Sequence, residues 1–188
     1  MWLLLVILLL LAIFLYPTCL VAYERKRAVA HIEKTLQKTG GKLTVLKKSY
    51  VLSSNRAAEY DLLIETEDTQ YAVKFWSAKR RNLDLLISSE GAVAEQRIDR
   101  DPLAPQKDVR QRVLRTHFYR VPKTGCNFTQ TEGKRQVRLL LVYPSYRQIL
   151  AYYRMEWTPL HSGDCTMEKI ICTPSSLTAM LQKENKNV

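Results

Sequence analysis

The sequence predicts an α/β layered domain, a central mixed β-sheet flanked by helices, carried on an N-terminal transmembrane helix. Three observations predict it. No charged residue occurs from Trp2 to Ala22. Beyond that run, apolar positions recur at helical spacing, then in short strand-like runs, and at helical spacing again near the C-terminus. Val137 to Tyr143 is almost continuously apolar at its centre, the pattern of a strand buried on both faces.

The first run is long enough to cross a hydrocarbon core of about 30 Å as a helix. A cleaved signal peptide needs a basic start and a small-x-small cleavage site, and neither Met1-Trp2 nor Val21-Ala22-Tyr23 supplies them. The chain is therefore expected to divide into an anchor over 1–23 and one domain over 24–188. Pro17 is placed to kink the span, and Tyr16 and Tyr23 suit headgroup-level anchoring. Arg25, Lys26 and Arg27, with Lys34, Lys38 and Lys42, follow the span directly. Basic flanks stay on the cytoplasmic side, so a single-pass cell-membrane protein with a cytoplasmic C-terminal domain is expected.

After the basic cluster, Ala28, Val29, Ile32 and Leu36 lie on one helical face, and Gly40-Gly41 ends that helix. Strand-like runs follow at Leu43 to Leu52, Ala58 to Glu65 and Tyr71 to Trp76, a meander whose last turn is Glu67-Asp68-Thr69. Leu83 to Ser88 and Ala92 to Ile98 form either a further hairpin or, around Leu85-Leu86-Ile87, a helical turn. Past Pro102 and Pro105, the spacing of Val109, Val113, Leu114 and Phe118 predicts an amphipathic helix with arginines on its other face. Short strands are expected at Ile149 to Tyr153 and Met167 to Cys172, and Thr173-Pro174 opens a last helix holding Leu177, Met180 and Leu181.

The formal charge of +11 favours polyanionic partners. Its densest groups in the domain are Lys79, Arg80 and Arg81, then Arg110, Arg112 and Arg115, the expected polyanion-binding residues. Two polyanions fit: nucleic acid and an anionic bilayer surface. A basic solvated face is the plainer alternative. Cys126, Cys165 and Cys172 show neither a disulfide framework nor paired zinc-ligand spacing, and no metal site is expected from them.

Glu59 to Glu65 and Gln70 to Trp76 carry the most specific pattern. By strand alternation, Asp61 shares a face with Leu63 and Glu65, while Lys74 shares one with Gln70, Ala72 and Trp76. Paired as a hairpin, the two runs bring Asp61, Ala72 and Lys74 together. A solvated cross-strand charge pair is the ordinary fate of such residues. The pattern also resembles the Asp, then Glu-x-Lys, of restriction-endonuclease-like nucleases, with Ala72 at the Glu position. From Glu24 to Lys183 the order of elements is similar to the nuclease-related domain family, including Asp101-Pro102-Leu103 with Gln106 where the family opens its second helix.

The resemblance implies a restriction-endonuclease-like fold whose vestigial catalytic residues are Asp61, Lys74 and Gln106. Such nucleases use Mg²⁺, a hard cation that wants carboxylate oxygens, and Ala72 offers none. Glu59 and Glu65 are the candidate relocated acids. No cofactor is expected unless one of them restores a Mg²⁺ site. His31, His117 and His161 are scattered, and no P-loop or dinucleotide fingerprint is present. Tyr143, Tyr146, Tyr152, Tyr153 and Trp157 could stack nucleobases, though sheet packing is the commoner use.

The sequence thus leads to a membrane-anchored, catalytically inactive nuclease-like domain that binds a polyanion, nucleic acid included, or a membrane-complex protein. An active Mg²⁺-dependent nuclease with a relocated carboxylate is one alternative. An envelope or assembly protein with purely protein partners is the other.

Overall fold

The computed structural model describes residues 2–46, 59–77, 83–88, 92–99, 112–120, 132–142, 146–153 and 156–184. Helix α1 runs Trp2–Thr39. It bends by 47° between Leu4–Ile13 and Thr18–Thr39, and Pro17, which has no amide hydrogen to give the helix ladder, falls in the break. Among the described residues no single helix is long and apolar enough to cross a membrane, whereas the two limbs of this bent pair pass together by length and composition.

The two ends of α1 behave oppositely. Leu4 to Leu11, Ile13, Leu15 and Tyr16 are exposed, while Ala28, Val29, Ile32 and Leu36 are buried. The helix stops where expected: Gly40, at φ 77°, donates its N–H to the Leu36 carbonyl at 2.8 Å. Gly41 is required for a different reason. A Cβ there would lie 2.5 Å from Leu36 Cδ2 and 3.0 Å from the Glu65 carbonyl oxygen.

Strands β1 (Lys42–Val45), β2 (Leu62–Glu65) and β3 (Thr69–Trp76) form the antiparallel meander that the sequence predicts. Residues 47–58, which hold the end of the first expected strand and the start of the second, lie outside the described residues. The hairpin reading of the next segment holds: β4 (Leu83–Ile87) pairs antiparallel with β5 (Ala92–Asp99).

The helix expected around Val113, Leu114 and Phe118 is instead strand β6 (Arg112–Arg120), antiparallel to β5. Val109 lies outside the described residues. The run from Val113 to Tyr119 is rich in β-branched and aromatic residues, and the free edge of β5 offers its backbone a ladder, so pairing overrides an apolar spacing that also fits a helix.

Strand β7 (Arg135–Val142) runs parallel to β3, from Thr69 opposite Arg135 to Trp76 opposite Val142. Its second half, Leu139 to Val142, is buried on both faces, as its composition requires. Then come β8 (Tyr146–Tyr153), β9 (Glu156–Leu160), β10 (Cys165–Thr166), β11 (Lys169–Cys172) and α2 (Pro174–Glu184). Met167 and Glu168, expected in a strand, form the left-handed turn between β10 and β11, at φ 51° and 59°. Helix α2 opens on a reciprocal cap in which the Ser176 N–H meets Thr173 Oγ1 and the Thr173 N–H meets Ser176 Oγ.

A single central sheet is not what these strands build. Six of them form one mixed sheet in the order β1-β2-β3-β7-β11-β10, and five form a second in the order β6-β5-β4-β8-β9. Tyr71, Val73, Phe75, Leu139 and Leu141 pack with Ile32 and Leu36 of α1 and Leu177 and Leu181 of α2. On the opposite face Trp76, Leu140, Val142 and Ile171 pack with Leu83, Leu85, Ile87 and Val93 of the second sheet. Both described helices therefore share one side of the first sheet, and the second sheet covers the other. The flanking layer expected to be helical is β, because β6 joined a sheet.

A buried Asp61 and Lys74 pair at the candidate functional site

The register of β2 against β3 sets the site. Leu63 lies opposite Ala72 and Leu62 opposite Val73, so Asp61, the residue before β2, comes beside the Val73-Lys74 stretch of β3. Asp61 stands just outside β2 and is held there by its backbone. Its N–H donates to the Val73 carbonyl at 2.8 Å, and its own carbonyl accepts the Leu46 N–H at 3.0 Å. Its Oδ2 lies 3.4 Å from Lys74 Nζ and accepts the Phe75 N–H at 2.9 Å. The two residues meet as alternation predicts, but not in solvent: their side chains are 2% and 0% exposed. The second sheet closes over this face of the first.

A buried ion pair of this kind loses most of its Coulomb gain to desolvation. Here the Phe75 amide supplies a further hydrogen bond that recovers part of it. Asp61 Oδ1 is buried with no hydrogen-bond partner among the described residues.

The candidate replacement acids do not reach Ala72. Glu65 is opposite Gln70, two residue pairs further along from Ala72, and accepts that amide's Nε2–H at 3.3 Å, while Gln136 Nε2 donates to Gln70 Oε1 at 3.0 Å. Glu65 thus ends an amide ladder across β2, β3 and β7. Glu59 is half-buried, two residues before Asp61. Among the described residues no three of His, Cys, Asp and Glu gather as metal ligands.

A Mg²⁺ ion does not fit the donor set beside Asp61. One of its oxygens already faces an ammonium and an amide, and Ala72 adds no oxygen.

The basic groups divide. Arg25, expected at the membrane surface, is 1% exposed: its Nε–H donates to Ser77 Oγ at 3.3 Å, and its guanidinium lies 5.8 Å from the Phe75 ring centroid. Its place in the helical stripe turns it inward, so it is a core residue. Lys26 and Arg27 are exposed. Arg112 and Arg115 belong to β6, so the arginine face of the expected helix is not formed. Gln106, Lys79, Arg80, Arg81 and Arg110 lie outside the described residues.

Two further polar centres were legible in sequence only as interruptions of apolar runs. Asp84, buried within Leu83–Ile87, accepts Arg147 Nε–H at 2.8 Å and Nη2–H at 2.5 Å, and Gln148 Nε2–H at 3.1 Å. Hydrogen bonding to that carboxylate raises the Arg147 pKa. Tyr146 donates its hydroxyl proton to Glu95 Oε1 at 2.5 Å, and burial, then the Glu95 charge, push the phenol well above its usual range. Trp157 packs across the β8 and β9 pair on Tyr152, ring centroids 5.1 Å apart.

No protein-family model, curated protein or solved structure matches the chain.

Proposed function

We propose that the chain is a single-pass membrane protein whose cytoplasmic α/β domain binds a polyanion or a membrane-complex protein and performs no nuclease chemistry. The observation that carries this reading is the double character of the bent helix α1. It presents exposed apolar side chains at Leu4 to Leu11, Ile13, Leu15 and Tyr16 and then, from Ala28 to Leu36, forms part of the domain's own core. An apolar helical surface of that length is costly in water and favourable in lipid. The two limbs Leu4–Ile13 and Thr18–Thr39, bent by 47°, together meet the length and composition of a membrane span.

Loss of nuclease chemistry is supported by the burial of Asp61 and Lys74 and by the absence of a carboxylate at Ala72. In this reading the domain kept the strand pairing of a restriction-endonuclease-like site and uses it as an internal strut. The active, Mg²⁺-dependent alternative would need Glu59 or Glu65 to move beside Asp61. The purely protein-binding alternative draws on β9, an edge strand that is largely exposed and carries Trp157 at 43% exposure.

Alkaline carbonate extraction of membranes containing the full chain tests the anchor. The chain is expected to stay with the pellet, and a variant with Leu5, Leu8 and Leu9 changed to Gln to leave it. Full release of the unaltered chain would contradict the reading. Protease digestion of sealed vesicles then assigns the side on which the domain lies.

A further inference from the structure

Along α1, Arg27, Ala30, His31, Lys34 and Lys38 follow one another on one helical stripe, and all five are exposed. Against this stripe, α2 leaves a groove of two adjoining hollows, about 580 and 200 Å³, that share His31 and Lys34. Ala28, Ala30 and Pro174 give the larger hollow apolar walls, Arg27 and Lys34 bring cationic heads to it, and Glu24 is its acid. Neither Arg27 nor Lys34 forms an ion pair among the described residues. The groove begins at Glu24, directly after the apolar stretch.

We propose that this groove binds the phosphate-bearing headgroup of an anionic phospholipid from the bilayer that holds α1; this rests on the membrane reading above. Position supports it first. Arg27 rises about 7.5 Å beyond Ala22 along the helix axis, within the interfacial layer of a bilayer. Helical side chains lean toward the N-terminus, here the apolar end, so Arg27 and Lys34 carry their charges back toward the headgroups.

Chemistry supports it second. A guanidinium fork matches two phosphate oxygens, an ammonium supplies a point charge about two turns on, and small apolar walls accept the glycerol backbone. Nucleic acid suits the groove less well, because it opens beside an exposed apolar helix surface where a polymer's phosphates would meet hydrocarbon.

The test uses the full chain in neutral detergent micelles, titrated with phosphatidylglycerol, phosphatidylcholine, inorganic phosphate or a single-stranded oligonucleotide, with retained ligand read by native mass spectrometry. Phosphatidylglycerol is expected to be retained in preference to phosphatidylcholine and to free phosphate. Arg27→Gln and Lys34→Gln should each weaken that retention about fivefold, and together about thirtyfold. Ala30→Trp, which fills the groove and leaves every charge in place, should also abolish the preference, while Lys42→Gln and Lys183→Gln should preserve it.

Equal retention of the two lipids, equal loss in the groove variants and the Lys42 and Lys183 controls, or oligonucleotide binding that depends on the same groove residues would each overturn the proposal. Carbonate extraction of the same variants separates the two readings. Groove variants remain membrane-bound if only the groove is wrong, whereas release of the unaltered chain removes the anchor itself.

Discussion

Lys74 Nζ lies 3.4 Å from Asp61 Oδ2, with the lysine side chain fully enclosed and the aspartate nearly so. The two charges are paired inside the fold, and this enclosure decides what substitution does. Asp61→Asn leaves a buried ammonium, and Lys74→Met leaves a buried carboxylate. Either is expected to cost about 3–5 kcal/mol, and the double variant distinctly less than their sum. Urea unfolding of the full chain checks this. Losses below about 0.5 kcal/mol would mean a solvated pair instead.

Alkaline pH should destabilise the fold. Burial pushes the Cys172 thiol from its ordinary 9.0 to about 12, and burial together with Glu184 raises Tyr71. Tyr146 moves the same way. All three acids hold their protons longer when folded, so the unfolded chain ionises first. The stability they contribute is complete below about pH 9 and is lost as pH climbs toward 12. The urea midpoint should fall through that window, and Cys172→Val should flatten the slope. A midpoint independent of pH there would contradict the burial of these groups.

Arg25 is expected to act through the core and not through charge at the membrane. Arg25→Gln removes the stacking on Phe75 and disturbs the Ser77 hydrogen bond, and should cost about 1–3 kcal/mol. Lys26→Gln should change unfolding by less than about 0.5 kcal/mol. Matched unfolding curves for the two variants test the difference.

Glu184 ties the end of α2 to the turn before β3, accepting Thr66 Oγ1–H at 3.1 Å and Thr69 Oγ1–H at 2.5 Å, with Arg135 3.6 Å away. A carboxylate at a helix C-terminus opposes the helix dipole, so these donors must outweigh that cost. Glu184→Ala should destabilise by about 1–2 kcal/mol. A stabilising effect in thermal unfolding would show that the dipole dominates.

Local chemistry made some elements legible. Gly40-Gly41 ends α1 because one glycine takes a left-handed φ and the other admits Leu36, and alternation together with a hairpin pairing of the two runs brings Asp61 and Lys74 together. What escaped was set by distant strands. Val113, Leu114 and Phe118 fit a helical stripe as well as a strand, and only the free edge of β5 decides between them. Arg25 resembles its neighbours Lys26 and Arg27 in sequence, yet the rotation of α1 over Phe75 sends it inward. The enclosure of Asp61 and Lys74 has the same origin: it depends on a second sheet assembled from segments far along the chain.

The most direct test of the account is incubation of the full chain, in micelles, with single- and double-stranded DNA and with RNA in the presence of Mg²⁺ or Mn²⁺. No cleavage above a metal-free control is predicted. Metal-dependent cutting that disappears in both Asp61→Ala and Lys74→Ala, in variants still folded by circular dichroism, would contradict it.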